Sequence, residues 1–175
     1  MIITNLLIPK MYQSSIYNMD YQKLKKKKIK CLLFDLDNTC VGYHEKNPSD
    51  NLKKLFDNLT KQGFNVIIFS NATPKRLHPF TSLGVVCHPA SKKPFKKNFK
   101  KILTQYHYEK QEVCIIGDQL FTDILGGNRV GIMTCLVDPI TKEDFILTKI
   151  FRSLEGVQFQ KMKKQGILVK GEYYE

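Results

Sequence analysis

No segment of the chain approaches the ~20 consecutive apolar residues needed to span a bilayer, which excludes a membrane-spanning helix read from hydropathy. The opening Ile2-Ile3-Thr4-Asn5-Leu6-Leu7-Ile8-Pro9 is short, with no basic flank before it and no small-residue cleavage site. A signal peptide is therefore not expected, and this stretch should pack as an N-terminal segment or touch a membrane surface. The five cysteines, Cys31, Cys40, Cys87, Cys114 and Cys135, form no C-x-x-C pair. Most lie in or beside apolar runs and read as reduced core residues of a cytoplasmic protein. The four histidines are scattered without metal-ligand spacing, and His44 reads as an exposed loop residue. There is no internal repeat and no low-complexity linker, so 175 residues imply one domain with a real core. Acidic residues are few: 16 against 28 Lys and Arg, a formal charge of +12. That balance favours anionic partners such as nucleic acid, phospholipid headgroups or phosphorylated substrates. A lysine-rich proteome would give the same balance with no partner meaning, so charge alone decides little.

Several of the few acids stand where apolar runs end. Lys30-Cys31-Leu32-Leu33-Phe34 reads as a strand running into a core, and Asp35 and Asp37 follow it one residue apart. Alternation along an extended backbone puts both carboxylates on one side. Two carboxylates so close repel unless a cation lies between them or one holds a proton. Both outcomes suit phosphoryl transfer, in which one group attacks, the other moves a proton, and Mg²⁺ neutralises the cluster. A solvated acidic turn is the bland alternative for a lone D-x-D. Two further runs end the same way. Asn65-Val66-Ile67-Ile68-Phe69 leads into Ser70-Asn71, and Val113-Cys114-Ile115-Ile116 leads into Gly117-Asp118, with Asp123 one turn on. Lys92-Lys93-Pro94 lies between them. Ligands of open parallel sheets bind beyond the carboxyl ends of the strands, so these groups would share one site.

Helical spacing fills the gaps. Ser49 or Asp50 caps a stripe of Leu52, Leu55, Phe56 and Leu59, and Gly63 ends it. Thr73-Pro74 opens a short helix that Pro79 bends or shortens. Leu83 to Cys87 suggests a strand. Pro94 opens a helix with Phe95, Phe99, Ile102, Leu103 and Tyr106 facing the core. A helix near Asp123 to Gly126 and a strand at Met133 to Val137 follow. The alternation predicts an α/β fold: a doubly wound parallel sheet with right-handed crossovers. Residues 1–29 form a leader with a short helix over Asp20 to Lys28, residues 30–155 the domain, and residues 156–175 a basic tail of little order. Phe145, Ile146, Leu147, Ile150, Phe151 and Leu154 form an apolar helix face, suited to core packing or to a membrane interface. The Lys25 to Lys28 run is a solvated helix end or a contact for anionic lipid.

The set Asp35-Leu36-Asp37-Asn38-Thr39, Ser70, Lys93 and Gly117-Asp118 with Asp123 resembles the haloacid dehalogenase-like superfamily of aspartate-nucleophile phosphatases. Ser15-Ile16-Tyr17-Asn18-Met19-Asp20-Tyr21, Phe69-Ser70-Asn71, Lys92-Lys93-Pro94-Phe95 and the run Gly117 to Arg129 look like its YqeG-type branch, related to the mitochondrial and plastid phosphatidylglycerophosphate phosphatases. The resemblance covers roughly residues 5 to 155. It implies a Rossmann-like core and the following roles. Asp35 is the nucleophile, and Asp37 the acid and base. Thr39, Ser70 and the backbone of Asn71 serve the phosphate-binding loop. Lys93 pairs with the phosphoryl group and Asp35; the family pattern places this lysine directly before the proline, which favours it over Lys92. Mg²⁺ is held by Asp35, Asp118 and the Asp37 backbone carbonyl. Asp123 is either an outer metal ligand or a helix N-terminal residue facing the dipole.

Asp35 and Ser70 are 35 residues apart, and Ser70 and Lys93 are 23 apart. Each interval is used up by its crossover, so no cap domain fits, and any lid is a few residues between Gly42 and Pro48. An open site suits a lipid headgroup, a phosphoprotein or a nucleic-acid end. The leading expectation is a Mg²⁺-dependent phosphomonoesterase acting on phosphatidylglycerophosphate, with peripheral contact to an anionic membrane. The alternatives are a soluble nucleotide or sugar phosphate, a nucleic-acid end, or a basic RNA- or ribosome-associated adaptor with a vestigial site.

Overall fold

The computed structural model describes residues 5–141 and 146–173, and the side chains of all these except 146–152. Six strands form one parallel sheet: β1 (Met11–Gln13), β2 (Cys31–Phe34), β3 (Asn65–Phe69), β4 (Val86–His88), β5 (Val113–Gly117) and β6 (Met133–Val137). The order across the sheet is β1-β6-β5-β2-β3-β4, with every pairing parallel. From β2 the chain winds outward through β3 to β4, then returns to the other side of β2 for β5 and β6. The crevice between β2, β3 and β5 is therefore the topological switch point, where such sheets bind ligands.

Alternation along β2 sorts its side chains onto two faces. Leu32 and Phe34 join Phe56, Ile68 and Ile116 in one apolar cluster, while Cys31 and Leu33 join Ile67, Phe69, Phe99 and Ile115 in the other. Helix α1 (Tyr21–Lys26) and α2 (Asp50–Lys61) supply residues to the first cluster. Asp20 caps α1 by accepting from the Lys23 N–H, and Ser49 caps α2 by accepting from Leu52. The Phe34 and Phe56 rings lie 5.0 Å apart. Helix α3 (Pro74–Leu77), capped by Thr73, passes into a 3-10 turn at His78–Leu83. Helix α4 (Lys96–Gln105) covers the second face, with the Phe69 and Phe99 rings 4.8 Å apart. A π-helical turn, Leu120–Ile124, leads into α5 (Leu125–Val130), and α6 (Ile146–Lys164) follows β6. Four of the cysteines are buried and Cys87 is partly so; all five are free thiols, as core residues should be. No helix among the described residues is long and apolar enough to cross a membrane.

Several expectations need correction. The leader contributes strand β1, whose Met11, Tyr12 and Gln13 pair with Cys135, Leu136 and Val137. Leu7 is buried there, and Asn128 donates to the carbonyls of Leu6 and Ile8. The strand expected from Leu83 starts only at Val86, because Leu83 completes the 3-10 turn and Gly84 turns the chain at φ +70°. Helix α4 starts at Lys96, two residues after Pro94, and Phe95 is 65% exposed rather than in the core. The tail is ordered beyond Gly156. Helix α6 runs across the expected boundary at 155, and its Met162 packs with Leu168, Leu7 and Tyr12 in a third cluster. Tyr173 then bridges to Met11 and donates to the Asp20 carbonyl. Composition hid this because few apolar residues sit among many lysines. Of the expected apolar face of α6, Phe145 and the side chains of Ile146, Leu147, Ile150 and Phe151 lie outside the described residues, and Leu154 is exposed.

Two glycines of similar helical setting should respond oppositely to alanine. A Cβ on Gly127 in α5 would come within 2.5 Å of Ile115 and 2.6 Å of Thr134, while one on Gly156 in α6 meets nothing within 4 Å. Urea denaturation should show Gly127→Ala destabilised by about 1–3 kcal/mol through overpacking. It should show Gly156→Ala stabilised by up to about 1 kcal/mol through helix propensity.

Candidate active site

Register builds the site. Phe34 stands level with Ile68 on one side and Ile116 on the other, so β2, β3 and β5 leave the sheet together. Asp35 emerges first, its N–H donating to the Ile116 carbonyl at 2.9 Å. Ser70 and Asp118 emerge one step beyond on the flanking strands. The chain after Asp35 folds back tightly: the N–H groups of Thr39, Cys40 and Val41 all reach the Leu36 carbonyl. Leu36 is wholly buried between the two aspartates, which turns both carboxylates the other way. Asn38 takes φ +61°, a region Asn tolerates, and its side chain accepts from Thr141.

Lys93 lies at the centre. Its Nζ is 2.8 Å from Asp35 Oδ1 and 2.6 Å from Asp123 Oδ1. Lys93 is 4% exposed, Asp35 6%, Asp118 4% and Asp123 0%. Burial alone would lower the Lys93 ammonium, but Asp123 and Asp35 outweigh it and hold its pKa above the ordinary value. It stays charged. Burial pushes the Asp123 carboxyl up, against the pull of Lys93. Lys92, the rival lysine, is exposed at φ +53°, whereas Lys93 is buried against both carboxylates.

The residues around Lys93 hold it in place. The Asn71 side-chain amide donates to the Lys93 carbonyl at 3.0 Å, and its oxygen accepts from the Lys93 N–H at 2.7 Å. Asn71 therefore braces the lysine loop with its side chain, a role the sequence did not suggest. Asp123 Oδ2 accepts from the Gln119 N–H, at the start of the π-helical turn. Asp123 thus lies in the first turn of that helix and within the acidic cluster. Gly117 makes this possible, since a Cβ there would fall 2.2 Å from the Asp123 carboxylate. Ser70 is buried, and its hydroxyl accepts from the Ala72 N–H. The Thr39 hydroxyl donates to Asp118 Oδ1 at 2.9 Å and orients that carboxylate.

Asp35, Asp118 and Asp123 each present a ligand atom within 4.8 Å of the others. Three buried carboxylates against one buried ammonium leave an excess of negative charge, and hard oxygen donors of this kind fit a divalent cation. Asp37 stands apart, nearer solvent. Arg76, from α3, grips its Oδ1 with Nε at 3.0 Å and Nη2 at 2.7 Å. Burial raises the Asp37 carboxyl above its ordinary range, Arg76 and Lys93 pull it down, and Asp35 pushes it up; the net direction is upward. A carboxyl so poised keeps a proton more readily than most, as a general acid must. Sequence reasoning missed Arg76. The one available signal was a basic residue on a short helix straight after the Ser70 strand end. A cavity of about 380 Å³ opens beside Asp37, lined by Tyr43, His44, Lys46, Ala72, Thr73 and Arg76. Among the described residues no helix or strand lies between β2 and α2, and only the one-turn α3 and the 3-10 turn lie between β3 and β4, which is too little for a cap domain.

The family model for mitochondrial PGP phosphatase matches residues 1–141 of this chain. "Probable phosphatase YqeG" of Bacillus subtilis (strain 168) is 32% identical over 160 residues, covering 91% of this chain and 93% of that protein. "Phosphatidylglycerophosphate phosphatase 1, chloroplastic/mitochondrial" of Arabidopsis thaliana is 26% identical over 181 residues, covering 92% of this chain. The chain spans about half the length of that relative, 49%. Among solved structures, the cobalt-bound form of the deoxy-D-mannose-octulosonate 8-phosphate phosphatase (YrbI) from Haemophilus influenzae shares the fold. Its TM-score is 0.50 at 16% identity, over 84% of this chain and 95% of that one.

Gly117→Ala tests the close approach of Asp123. The added methyl should push the Asp123 carboxylate off Lys93 and lower phosphatase turnover about 10²-fold, the scale of an ångström's misplacement. Circular dichroism should show the sheet intact. Turnover equal to the parent would contradict the packing.

Proposed function

The chain belongs to the PGP phosphatase family of haloacid dehalogenase-like phosphatases, and on that premise we propose that it hydrolyses the terminal phosphate of phosphatidylglycerophosphate through an aspartyl-phosphate on Asp35. The observation that carries this reading is the pairing of Asp35 with a fully buried Lys93, while Asp37 stands two residues on with a raised pKa.

Lys93 holds Asp35 Oδ1, which leaves Oδ2 to attack phosphorus. The new Oδ2–P bond forms as the bond from phosphorus to the leaving alcohol breaks. Asp37 gives its proton to the departing oxygen, then takes one from the water that attacks the aspartyl-phosphate and releases inorganic phosphate. Ser70, the Asn71 N–H and Lys93 hold the phosphoryl oxygens through both steps. Arg76 keeps Asp37 aimed between steps. Mg²⁺ would be held by Asp35, Asp118 and the Asp37 carbonyl, with Asp123 behind, and would neutralise phosphate charge. The open site suits a headgroup still anchored in a bilayer, which peripheral contact with an anionic membrane would present. An RNA-binding adaptor would have no use for three buried carboxylates that burial makes costly to keep.

Phosphate release from phosphatidylglycerophosphate in mixed micelles, beside a generic aryl phosphate, tests this. The parent should prefer the lipid, lose turnover on chelation and regain it with Mg²⁺. Asp35→Asn and Asp37→Asn should each lower turnover by at least about 10³-fold. An active Asp35→Asn would sink the nucleophile. Turnover of the aryl phosphate alone would move the substrate to a soluble phosphomonoester and leave the chemistry standing.

A further inference from the structure

Phe95 is the most anomalous side chain near the site. It is 65% exposed, only two residues from the buried Lys93. It occupies the N-cap position of α4 but can offer no side-chain hydrogen bond there. The first turn of α4 has no acidic residue and begins with Lys96 and Lys97, both exposed, with exposed Lys92 just before. Cations at a helix N-terminus oppose its dipole, so the fold gains nothing from either feature. The base beneath them is braced. Asn71 holds Lys93 from one side, Asn98 donates to the Ser91 carbonyl from the other, and the Phe95 N–H closes onto the Lys92 carbonyl. An exposed aromatic thus stands on a fixed loop with three lysines around it.

Its place in the fold gives it a direction. Every strand is parallel, so the loop after β4 lies on the same sheet edge as Asp35, Ser70 and Asp118. Exposed Lys46 and Lys75 leave β2 and β3 on that edge too. The exposed acids there have local work: Glu45 accepts from the Gly42 N–H, and Asp50 sits in the first turn of α2. The rim of the open site is therefore basic, and the Phe95 ring protrudes among its lysines.

We propose that Phe95, with Lys92, Lys96 and Lys97, docks the protein on an anionic lipid bilayer, the ring entering the headgroup boundary and the lysines meeting lipid phosphates. Aromatic rings favour that boundary, and lysines near it gain from the negative surface potential. Docked this way, the mouth of the site faces the membrane. The purpose of the surface rests on the lipid-substrate reading, but its binding does not require turnover.

The chain contains no tryptophan, so Phe95→Trp places a single indole, excited selectively beyond the tyrosine absorption, at the contact. The full-length variant is titrated with vesicles of phosphatidylcholine alone or with added phosphatidylglycerol. A blue shift in emission with the anionic vesicles only is expected, with loss of the shift in high salt. Co-sedimentation of the Lys96→Glu/Lys97→Glu pair should fall at least about tenfold, since each lysine near such a surface contributes roughly fivefold. That of Phe95→Ser should fall as well, through loss of the apolar ring buried in the headgroup boundary. Folding of each variant is checked by thermal melting. Unshifted emission, equal shifts with both vesicles, undiminished sedimentation of Phe95→Ser, or tighter binding to single-stranded RNA than to anionic vesicles would each overturn the proposal. Failure here with lipid turnover intact in mixed micelles removes the docking surface alone. Vesicle binding without lipid turnover removes the substrate reading alone.

Discussion

Lys93 brings one positive charge into a dry pocket and divides it between Asp35 at 2.8 Å and Asp123 at 2.6 Å. Withdrawing an ammonium from water costs several kcal/mol, roughly, and is tolerated only when paired geometry offsets it. Much of the surrounding structure can be read as meeting that requirement. Asn71 grips the lysine backbone on both sides of its peptide group. Gly117 leaves room for Asp123 to close in, and the Gln119 N–H holds the second oxygen of that carboxylate. Thr39 fixes Asp118 so that it adds to the cluster without colliding with it. The result is a braced, charged assembly that keeps Asp35 Oδ1 engaged by Lys93.

The sheet decides where this assembly can form. The switch point puts β2 between β3 and β5, and equal register makes the three strands end level. Asp35, Ser70 and Asp118 thus arrive from adjacent strands without any long loop. Asp37 is treated differently. It leaves the pocket, meets Arg76 and faces a cavity open to solvent. One carboxylate is locked and one is left poised, although only Leu36 separates them.

Much of this was legible in the sequence because it follows from short-range rules. Apolar runs gave β2, β3, β5 and β6, and the polar residues ending them gave Asp35, Ser70 and Asp118. Caps and proline gave the starts of α2 and α3. What escaped depends on contacts between distant segments. Strand β1 is three residues long with all three buried, so it shows no alternation, and it exists because β6 offers an edge. The order of the C-terminal segment depends on Met162, Leu168 and Tyr173 finding the N-terminal strand. Arg76 and the side chain of Asn71 look like ordinary surface residues until α3 and the lysine loop are folded against the motif. Phe95 misled because its spacing matches a core stripe, while the helix that would bury it begins one residue later.

The central claim is covalent: Asp35 carries the phosphoryl group during turnover. Rapid quenching of a single turnover, followed by borohydride reduction and peptide mass spectrometry, addresses it directly. An aspartyl-phosphate at position 35 is reduced to homoserine, and that mass change at Asp35 alone is the expected result. An unmodified Asp35, with the change on another carboxylate or on none, would contradict it.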